Sequence, residues 1–549
     1  MMRPLPKATC LQQLITAALI GSPLMLQAQS LTVDPGARLQ DDLRRADRMA
    51  PPLPPSPSIA APAAPSALQN LNLQGRVVLN EIQFSPSVLL QESELRALAE
   101  AYIQRELTSN DLNQLLAGVQ KLYLDKGIET AVPVVPPQDI QQGSLRILLV
   151  EGKLGQLRAL PGSRLNPQWF QSWFRLKSGD IIRHQQFEED LALLNASSDA
   201  RLEGVLVPGD DFGLSDYQLG SDETNASQRW ALFEWPQAGS GANEGANLML
   251  GYRLVPAGPW AARVDATAIQ TPVATTFSLT GGLPLPQRGW RLGASLSGTQ
   301  SRSSVASTTA GSPNLIIKGQ SQSAGMDLSR LTALSNGQFL RLQASLSRMS
   351  TQSTSDGQVL SDRTIDRFSL AASTDWSMDS ESLPQAFQAS LRSSVTAGQG
   401  PAGSYGFADF GVNGSWRLGN GQSPILRVNY QMRILPDHTP DAIDTWLAGG
   451  ASTVRGFSLG ALAGVKGRNL QLSLHQPLPT QVTPIELMVF ADQAHAQTAN
   501  GMSHGIASVG MGLQAKLNAR WSVDVVSSRQ VSGATGDRSR LLLRLNTNW

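Results

Sequence analysis

From about Gln228 to Trp549, apolar residues recur at every second position. Trp290, Leu292, Ala294 and Leu296 alternate with Arg291, Gly293, Ser295 and Ser297, and Leu340, Leu342, Ala344 and Leu346 with Arg341, Gln343, Ser345 and Ser347. Phe368, Leu370, Ala372, Thr374 and Trp376 interleave in the same way with Arg367, Ser369, Ala371, Ser373 and Asp375, and Leu426, Val428, Tyr430 and Met432 with Arg427, Asn429, Gln431 and Arg433. Strand side chains point alternately to two faces, so this part of the chain predicts many strands, each apolar on one face only. Upstream the period changes. Leu95, Leu98, Ala99, Tyr102 and Ile103 fall at i, i+3, i+4, i+7 and i+8, one face of a helix. A second helix opens at Thr108, with Asp111 completing a variant capping box. It buries Leu112, Leu115, Leu116, Val119, Leu122 and Tyr123 and stops at Gly127.

Strands at Val77 to Phe84, Ala131 to Val135 and Ser144 to Glu151 frame these helices, giving β-α-α-β-β over residues 72–152. Residues 153–221 repeat that order. Lys153 to Leu160 is a strand, Trp169, Phe170, Trp173 and Phe174 sit on a short helix, and Phe187, Leu191 and Leu194 lie on a longer one. Strands near Arg201 to Val207 and Leu214 to Leu219 close the unit. Within residues 29–50, Asp34-Pro35 opens a short helix with Leu39, Leu43 and Ala46 on one face and Asp41, Asp42, Arg44 and Arg45 around the rest, polar enough to detach. Residues 51–71 are a linker whose Pro-, Ala- and Ser-rich part, Pro51 to Pro65, is semi-rigid and reaches about 45 Å when extended.

One-sided strands suit a soluble sandwich as well as a membrane barrel. Three features favour the barrel. The strands run about nine to eleven residues, the length a tilted strand needs to cross a bilayer. Trp230, Trp235, Trp260, Trp290, Trp376 and Trp521 lie near strand ends, where an interfacial girdle would place them. Arg341, Arg367 and Arg427 occupy the face opposite the apolar one, which in a closed barrel is a wet lumen. Residues 222–549 have room for about sixteen strands at roughly twenty residues per strand and loop. The last strand sets Leu541, Leu543, Leu545, Thr547 and Trp549 on one face and ends on an aromatic. The expected fold is therefore mainly β: a C-terminal transmembrane antiparallel barrel preceded by two α/β domains.

Composition narrows the chemistry. The net charge of +1 and a charged fraction of 16% exclude a polybasic nucleic-acid binder, and 49 glycines with 33 prolines suit many short connections between strands. The single cysteine, Cys10, falls within residues 1–28, which read as a signal peptide: Arg3 and Lys7 precede an apolar stretch from Leu11 to Leu26 and a small residue at Ala28. A mature chain without thiols has no disulfide, thiolate metal site or cysteine nucleophile. The five histidines form no HExxH motif or triad pattern, and Asp211-Phe212-Gly213 lacks the other elements of a kinase. No enzyme activity, metal or cofactor is expected.

In the barrel region, Leu447-Ala448-Gly449-Gly450-Ala451-Ser452-Thr453-Val454-Arg455-Gly456-Phe457 resembles the GG…VRG(F/Y) signature of the long sixth extracellular loop of two-partner secretion transporters, the hemolysin secretion/activation family with POTRA domains. Phe490-Ala491-Asp492-Gln493-Ala494 resembles the family's F-x-D-x-G strand motif, with Ala494 in place of Gly. The stretch from Gly127 to Leu149-Val150-Glu151-Gly152 resembles its first POTRA domain, and the terminal Leu545, Thr547 and Trp549 resemble the signal read by barrel-assembly machinery. The resemblance implies POTRA 1 at 72–152, POTRA 2 at 153–221 and an outer-membrane barrel at 222–549, with 29–50 a helix that plugs the pore at rest.

The residues themselves indicate how that loop could be held. Ile485, Leu487 and Val489 alternate with Glu486, Met488 and Phe490, so an outward aliphatic set turns Phe490 and Asp492 into the lumen. An arginine on a loop folded inward could pair with that aspartate through a bidentate, charge-assisted contact, with Gly456 turning tightly beside it and Phe457 packing on the wall. The resemblance implies that Arg455 and Asp492 lock the loop. It also implies passage of an unfolded secreted exoprotein, captured by periplasmic POTRA domains, through a bacterial outer membrane whose lipid surrounds the barrel. A barrel-assembly insertase would share both motifs with more POTRA units, and a solute porin or uptake receptor would share only the barrel.

Overall fold

The computed structural model describes residues 34–49 and 76–549, apart from 139, 141–142, 199–201, 221–226, 237–244, 306–314, 336–337, 379–386, 401–402, 420, 435–438, 451, 480–482 and 534–538. The leader assigned to 1–28 and the linker assigned to 51–71 lie outside the described residues, as do 29–33 and 50 of the segment assigned to the plug.

Two α/β units precede the barrel. The first contains β1 (Val77–Val78), β2 (Glu81–Phe84), α2 (Glu92–Glu100), β3 (Glu106–Leu107), α3 (Ser109–Asp125), β4 (Val132–Val134) and β5 (Ser144–Val150), following a helix α1 (Pro35–Met49) described below. Leu95 and Ala99 of α2 and Leu112, Leu115, Leu116, Val119 and Tyr123 of α3 bury against Leu145, Ile147 and Leu149 of β5. Thr108 and Asp111 make the reciprocal capping box read from the sequence, and Thr108's hydroxyl and backbone N–H hold the Asp111 carboxyl below its usual pKa. The expected first strand is interrupted at Leu79 and Asn80, where Asn80 and Glu81 donate to the Gly143 carbonyl.

The second unit has β6 (Lys153–Ala159), α4 (Pro167–Gln171), α5 (His184–Ser198), β7 (Glu203–Pro208) and β8 (Leu214–Gly220). Trp173 and Phe174 follow α4 instead of riding on it, yet both are buried with Phe170, Phe187 and Tyr217. The sheets run β2-β5-β4 and β6-β8-β7. In each, the first strand pairs parallel with the last and the intervening strand flanks the last antiparallel, so the repeat seen as a pattern recurs as topology.

The rest is a closed antiparallel barrel of 16 strands: β9 (Ser227–Pro236), β10 (Asn247–Ala257), β11 (Ala262–Gln270), β12 (Ala274–Pro284), β13 (Trp290–Val305), β14 (Leu315–Ser335), β15 (Gln338–Ser355), β16 (Gln358–Met378), β17 (Phe387–Gly400), β18 (Gly403–Arg417), β19 (Ile425–Ile434), β22 (Lys466–Leu478), β23 (Ile485–Gln497), β24 (Ser503–Lys516), β25 (Trp521–Ser532) and β26 (Ser539–Asn548). A small pair, β20 (Trp446–Ala448) and β21 (Leu462–Gly464), lies within the connection between β19 and β22. β26 pairs with β9, leaving no free edge.

Polarity is inverted relative to a soluble domain. Leu346, Phe368, Leu370, Val395, Val489 and Met511 face outward and exposed, while Thr276, Ser321, Thr351, Asn469, Asp492 and Ser508 are buried inside. Register sets Leu283, Leu292, Leu328, Ala344, Leu370 and Val395 opposite one another, an apolar row across six strands. Such a surface requires lipid around it. Two expectations need correction. β13 to β18 run 14 to 21 residues, not nine to eleven. Beyond Leu346 and Phe368 their outward positions become polar (Arg348 with Asp366, Ser350 with Thr364), so these strands continue past the apolar band into water. Trp230 points inward, buried with Leu232 and Met249, instead of joining a girdle, whereas Trp235, Trp260 and Trp521 are exposed and Trp290 carries the Arg330 guanidinium over its ring.

The second α/β unit docks on the turns at the mouth where the chain enters the barrel. Trp169 Nε1 donates to the Pro284 carbonyl at 3.0 Å, and Asn166 N to that of Pro259 at 2.9 Å. Asp190, fully buried, accepts from Arg175 Nε at 2.9 Å and from Arg288 Nη2 at 2.5 Å, joining the unit to the β12–β13 turn.

Candidate functional site in the barrel lumen

The connection from β19 to β22 opens at the opposite mouth and folds back into the lumen. Its tip is shaped by two adjacent glycines, Gly449 (φ +109°) and Gly450 (φ +84°), in the left-handed region that other residues resist. Gly449 N donates to Thr453 Oγ1 at 2.8 Å, and Gly450 N to the Phe457 carbonyl at 2.8 Å, which staples Val454-Arg455-Gly456-Phe457 into a compact turn.

That turn meets β23. Arg455 Nε and Nη2 donate to the two oxygens of Asp492 at 2.7 and 2.6 Å, and the backbone N–H of Arg455 adds a third bond at 3.0 Å. The Asp492 side chain is fully buried. The guanidinium lies 3.7 Å from the centroid of Phe490, a cation–π contact on the lumen face of the same strand. Phe490 in turn spreads across Gly510, where a Cβ would collide with the ring. Val454 and Phe457 pack with Trp446, Leu462, Ala494, Ala496 and Ile506, so the Ala494 methyl that departs from the F-x-D-x-G motif is part of the floor beneath the turn. The six residues singled out from the sequence, Val454, Arg455, Gly456, Phe457, Phe490 and Asp492, thus converge. Leu545 and Thr547 sit apart, on the outward face of β26, and Trp549 follows its last residue. Leu545 lies opposite Phe233, and Trp549 exchanges backbone bonds with Arg229.

Gly456 has φ +90°, and a Cβ there would come within 2.8 Å of Ser528 Oγ. Gly456→Val should strain the tip by about 1–3 kcal/mol and expose it to protease added from outside. Protection equal to the unsubstituted protein would refute this.

A second cluster went unnoticed in the sequence. The short turn Ala442–Asp444 in the same connection places Asp444, nearly inaccessible, where Tyr405 Oη donates at 2.6 Å and Arg367 Nε at 2.8 Å. Arg433 Nη1 donates to the Asp444 carbonyl at 2.6 Å. Asp441 caps the turn through Ile443 N at 3.0 Å and accepts from Arg363 Nη1 at 3.1 Å. Alternation sets Arg367 on the inward face but names no partner for it, and no local spacing marks Asp441 or Asp444, because their partners come from β16, β18 and β19.

Helix α1 occupies the lumen beside this turn. Leu39 is buried with Met349, Ile365, Tyr405, Phe407 and Ile443, and Ala46 with Trp230, Leu232, Met249 and Ile269. A cavity remains below the loop tip, where the polar side chains of Arg427, Asn429, Gln471, His475, Glu486, Gln514 and Asp524 are among those that line it. Of the three arginines expected inside, Arg367 meets Asp444, Arg427 lies 3.8 Å from Glu486 and Arg341 reaches the Ala196 carbonyl at 3.2 Å. Among the described residues no cluster of metal-ligating side chains is found.

Two family models match this chain: "POTRA domain, ShlB-type" over residues 77–152 and "Haemolysin secretion/activation protein ShlB/FhaC/HecB" over 260–515. The outer membrane transporter CdiB of Dickeya dadantii is 25% identical over 137 residues, 25% of this chain and 24% of that protein. The heme/hemopexin transporter protein HuxB of Haemophilus influenzae is 32% identical over 73 residues, 13% of each chain. This chain thus spans a quarter or less of the length of those curated relatives. The solved structure of CdiB from Escherichia coli superposes with a TM-score of 0.62 at 18% identity, covering 96% of this chain and all of that one, a likeness of fold.

Proposed function

We propose that this chain, which belongs to the haemolysin secretion/activation family of outer-membrane two-partner secretion transporters, moves a large partner exoprotein from the periplasm to the cell surface. The two α/β units act as POTRA domains. Their sheets end in the edge strands β2 and β4 in the first unit and β7 in the second, whose outer backbone groups suit capture of an extended chain with little demand on sequence. The barrel is the conduit, α1 its resting plug, and Arg455 with Asp492 the lock that keeps the loop tip inside. Folding of the emerging exoprotein outside gives transport its direction.

The observation that supports this reading is the arrangement of two α/β units ahead of a closed 16-strand barrel, the second docked at one mouth, with an inward-folded loop and a separate helix inside the bore. A solute porin has no need of the first, and the shared family is one of transporters. In cells that also make the cognate exoprotein, deleting residues 77–220 should abolish its appearance outside while the barrel still reaches the outer membrane. Undiminished secretion by that variant would overturn the proposal.

A further inference from the structure

We propose that the plug helix is held by exchangeable contacts: side chains of the wall and of the inward loop that bond it each keep a resident second partner, so that these side chains stay paired when the helix leaves. The inference rests on the plug reading above and adds how release is made possible.

Four side chains carry it, three on the wall and one on the inward loop. Glu234, almost wholly buried on β9, pairs with Arg45 of the helix and also accepts from Arg544 Nε of β26 at 2.7 Å. Arg363 on β16 pairs with Asp34, which caps the helix through Gly36 N, and also with Asp441 of the loop at 3.1 Å. Asp444 accepts from Gln40 Nε2 at 3.2 Å and is already held by Arg367 and Tyr405. Thr276 Oγ1 donates to Asp42 at 2.7 Å and has Thr299 Oγ1 at 2.9 Å. At both ends of the helix and in between, a contact is doubled on the wall side. A buried ion with one partner is costly to separate, because separation strands the other charge in a poorly solvated place. Here separation leaves none of these four side chains without a partner, and Asp34, Gln40, Asp42 and Arg45 regain water as the helix departs.

The sign of the resulting prediction distinguishes this from simple damage to the lumen. Removing a resident partner should tighten the plug, because the wall group then depends on the helix alone. Asp441→Asn keeps the cap on Ile443 N and loses the charge, leaving Arg363 to Asp34. Arg544→Gln leaves Glu234 to Arg45. Removing a helix-side partner, Asp34→Asn, should loosen the plug.

The test is the open fraction of the purified full-length protein in planar bilayers without exoprotein, with a variant lacking residues 34–49 as the unplugged reference and heat-modifiable gel mobility as the check on folding. Asp441→Asn and Arg544→Gln should each lower the open fraction about tenfold, Asp34→Asn should raise it, and adding Arg45→Ala to Arg544→Gln should reverse the tightening. A rise, or no change, in folded Asp441→Asn would overturn the proposal. Conductance of the unplugged reference no greater than that of the unsubstituted protein would instead overturn the plug reading beneath it. Because no exoprotein is present, neither result depends on whether the chain secretes one.

Discussion

Arg455→Ala should reduce secretion of the cognate exoprotein at least tenfold, because a buried ion pair loses one member, while the amount of heat-modifiable barrel in the outer membrane stays unchanged. Asp492 keeps its place on β23 in that variant, so its carboxylate is left buried among Phe490, Ser508 and the loop with neither fork nitrogen to meet it. The tip then has about 3–5 kcal/mol less reason to remain inside. Arg455→Lys should not restore transport. A lysine presents one point charge, whereas Asp492 is met through both oxygens by two nitrogens of a planar group that also lies over the Phe490 ring. Secretion by Arg455→Ala at the ordinary level would eliminate the lock as a mechanism and leave the geometry a structural detail.

Why the Arg455–Asp492 pair was legible in the sequence while the attachment of α1 was not follows from where their partners lie. Arg455 and Asp492 sit in two motifs, each short and locally ordered, and the alternation through Ile485, Leu487 and Val489 determines which way Asp492 points. The helix and the two α/β units were likewise written in local periodicity, Leu39 and Ala46 seven residues apart and Thr108 with Asp111 in a capping box. Asp441, Asp444, Arg363 and Glu234 have no such frame. Arg363 serves Asp34 and Asp441 at once, across 329 and 78 residues of chain, a relation that only barrel closure creates. Trp230 was misplaced for a related reason: an aromatic near a strand end fits a girdle by position, yet its parity on β9 matches that of the buried Leu232 and Glu234. The excess length of β13 to β18 was hidden because outward Ser, Thr and Gln residues continue the alternation without the apolar half that marks it.

That change of character along a strand locates the membrane and can be measured. Leu370→Arg places a guanidinium on the outward face between Ala344 and Val395, and should destabilise the folded barrel in lipid vesicles by about 2–4 kcal/mol if that row lies near the bilayer midplane. Ser369→Arg, one residue away, turns the same group into the lumen, where Ser369 now bonds Thr396 at 2.8 Å; the cost there should be well below half of the first. Ser350→Arg is outward again but lies beyond Leu346, next to Arg348 and opposite Thr364, where the wall stands in water, and should cost about 0–1 kcal/mol. A denaturant titration of the three variants in vesicles therefore yields a steep, a shallow and a near-zero response. Parity explains the contrast between Leu370 and Ser369, and height above the apolar row explains that between Leu370 and Ser350. Equal losses at Leu370 and Ser350 would mean that lipid covers the polar upper strands, and equal losses at Leu370 and Ser369 would mean that the bore is dry; either result contradicts a barrel with an aqueous lumen embedded only along its apolar band.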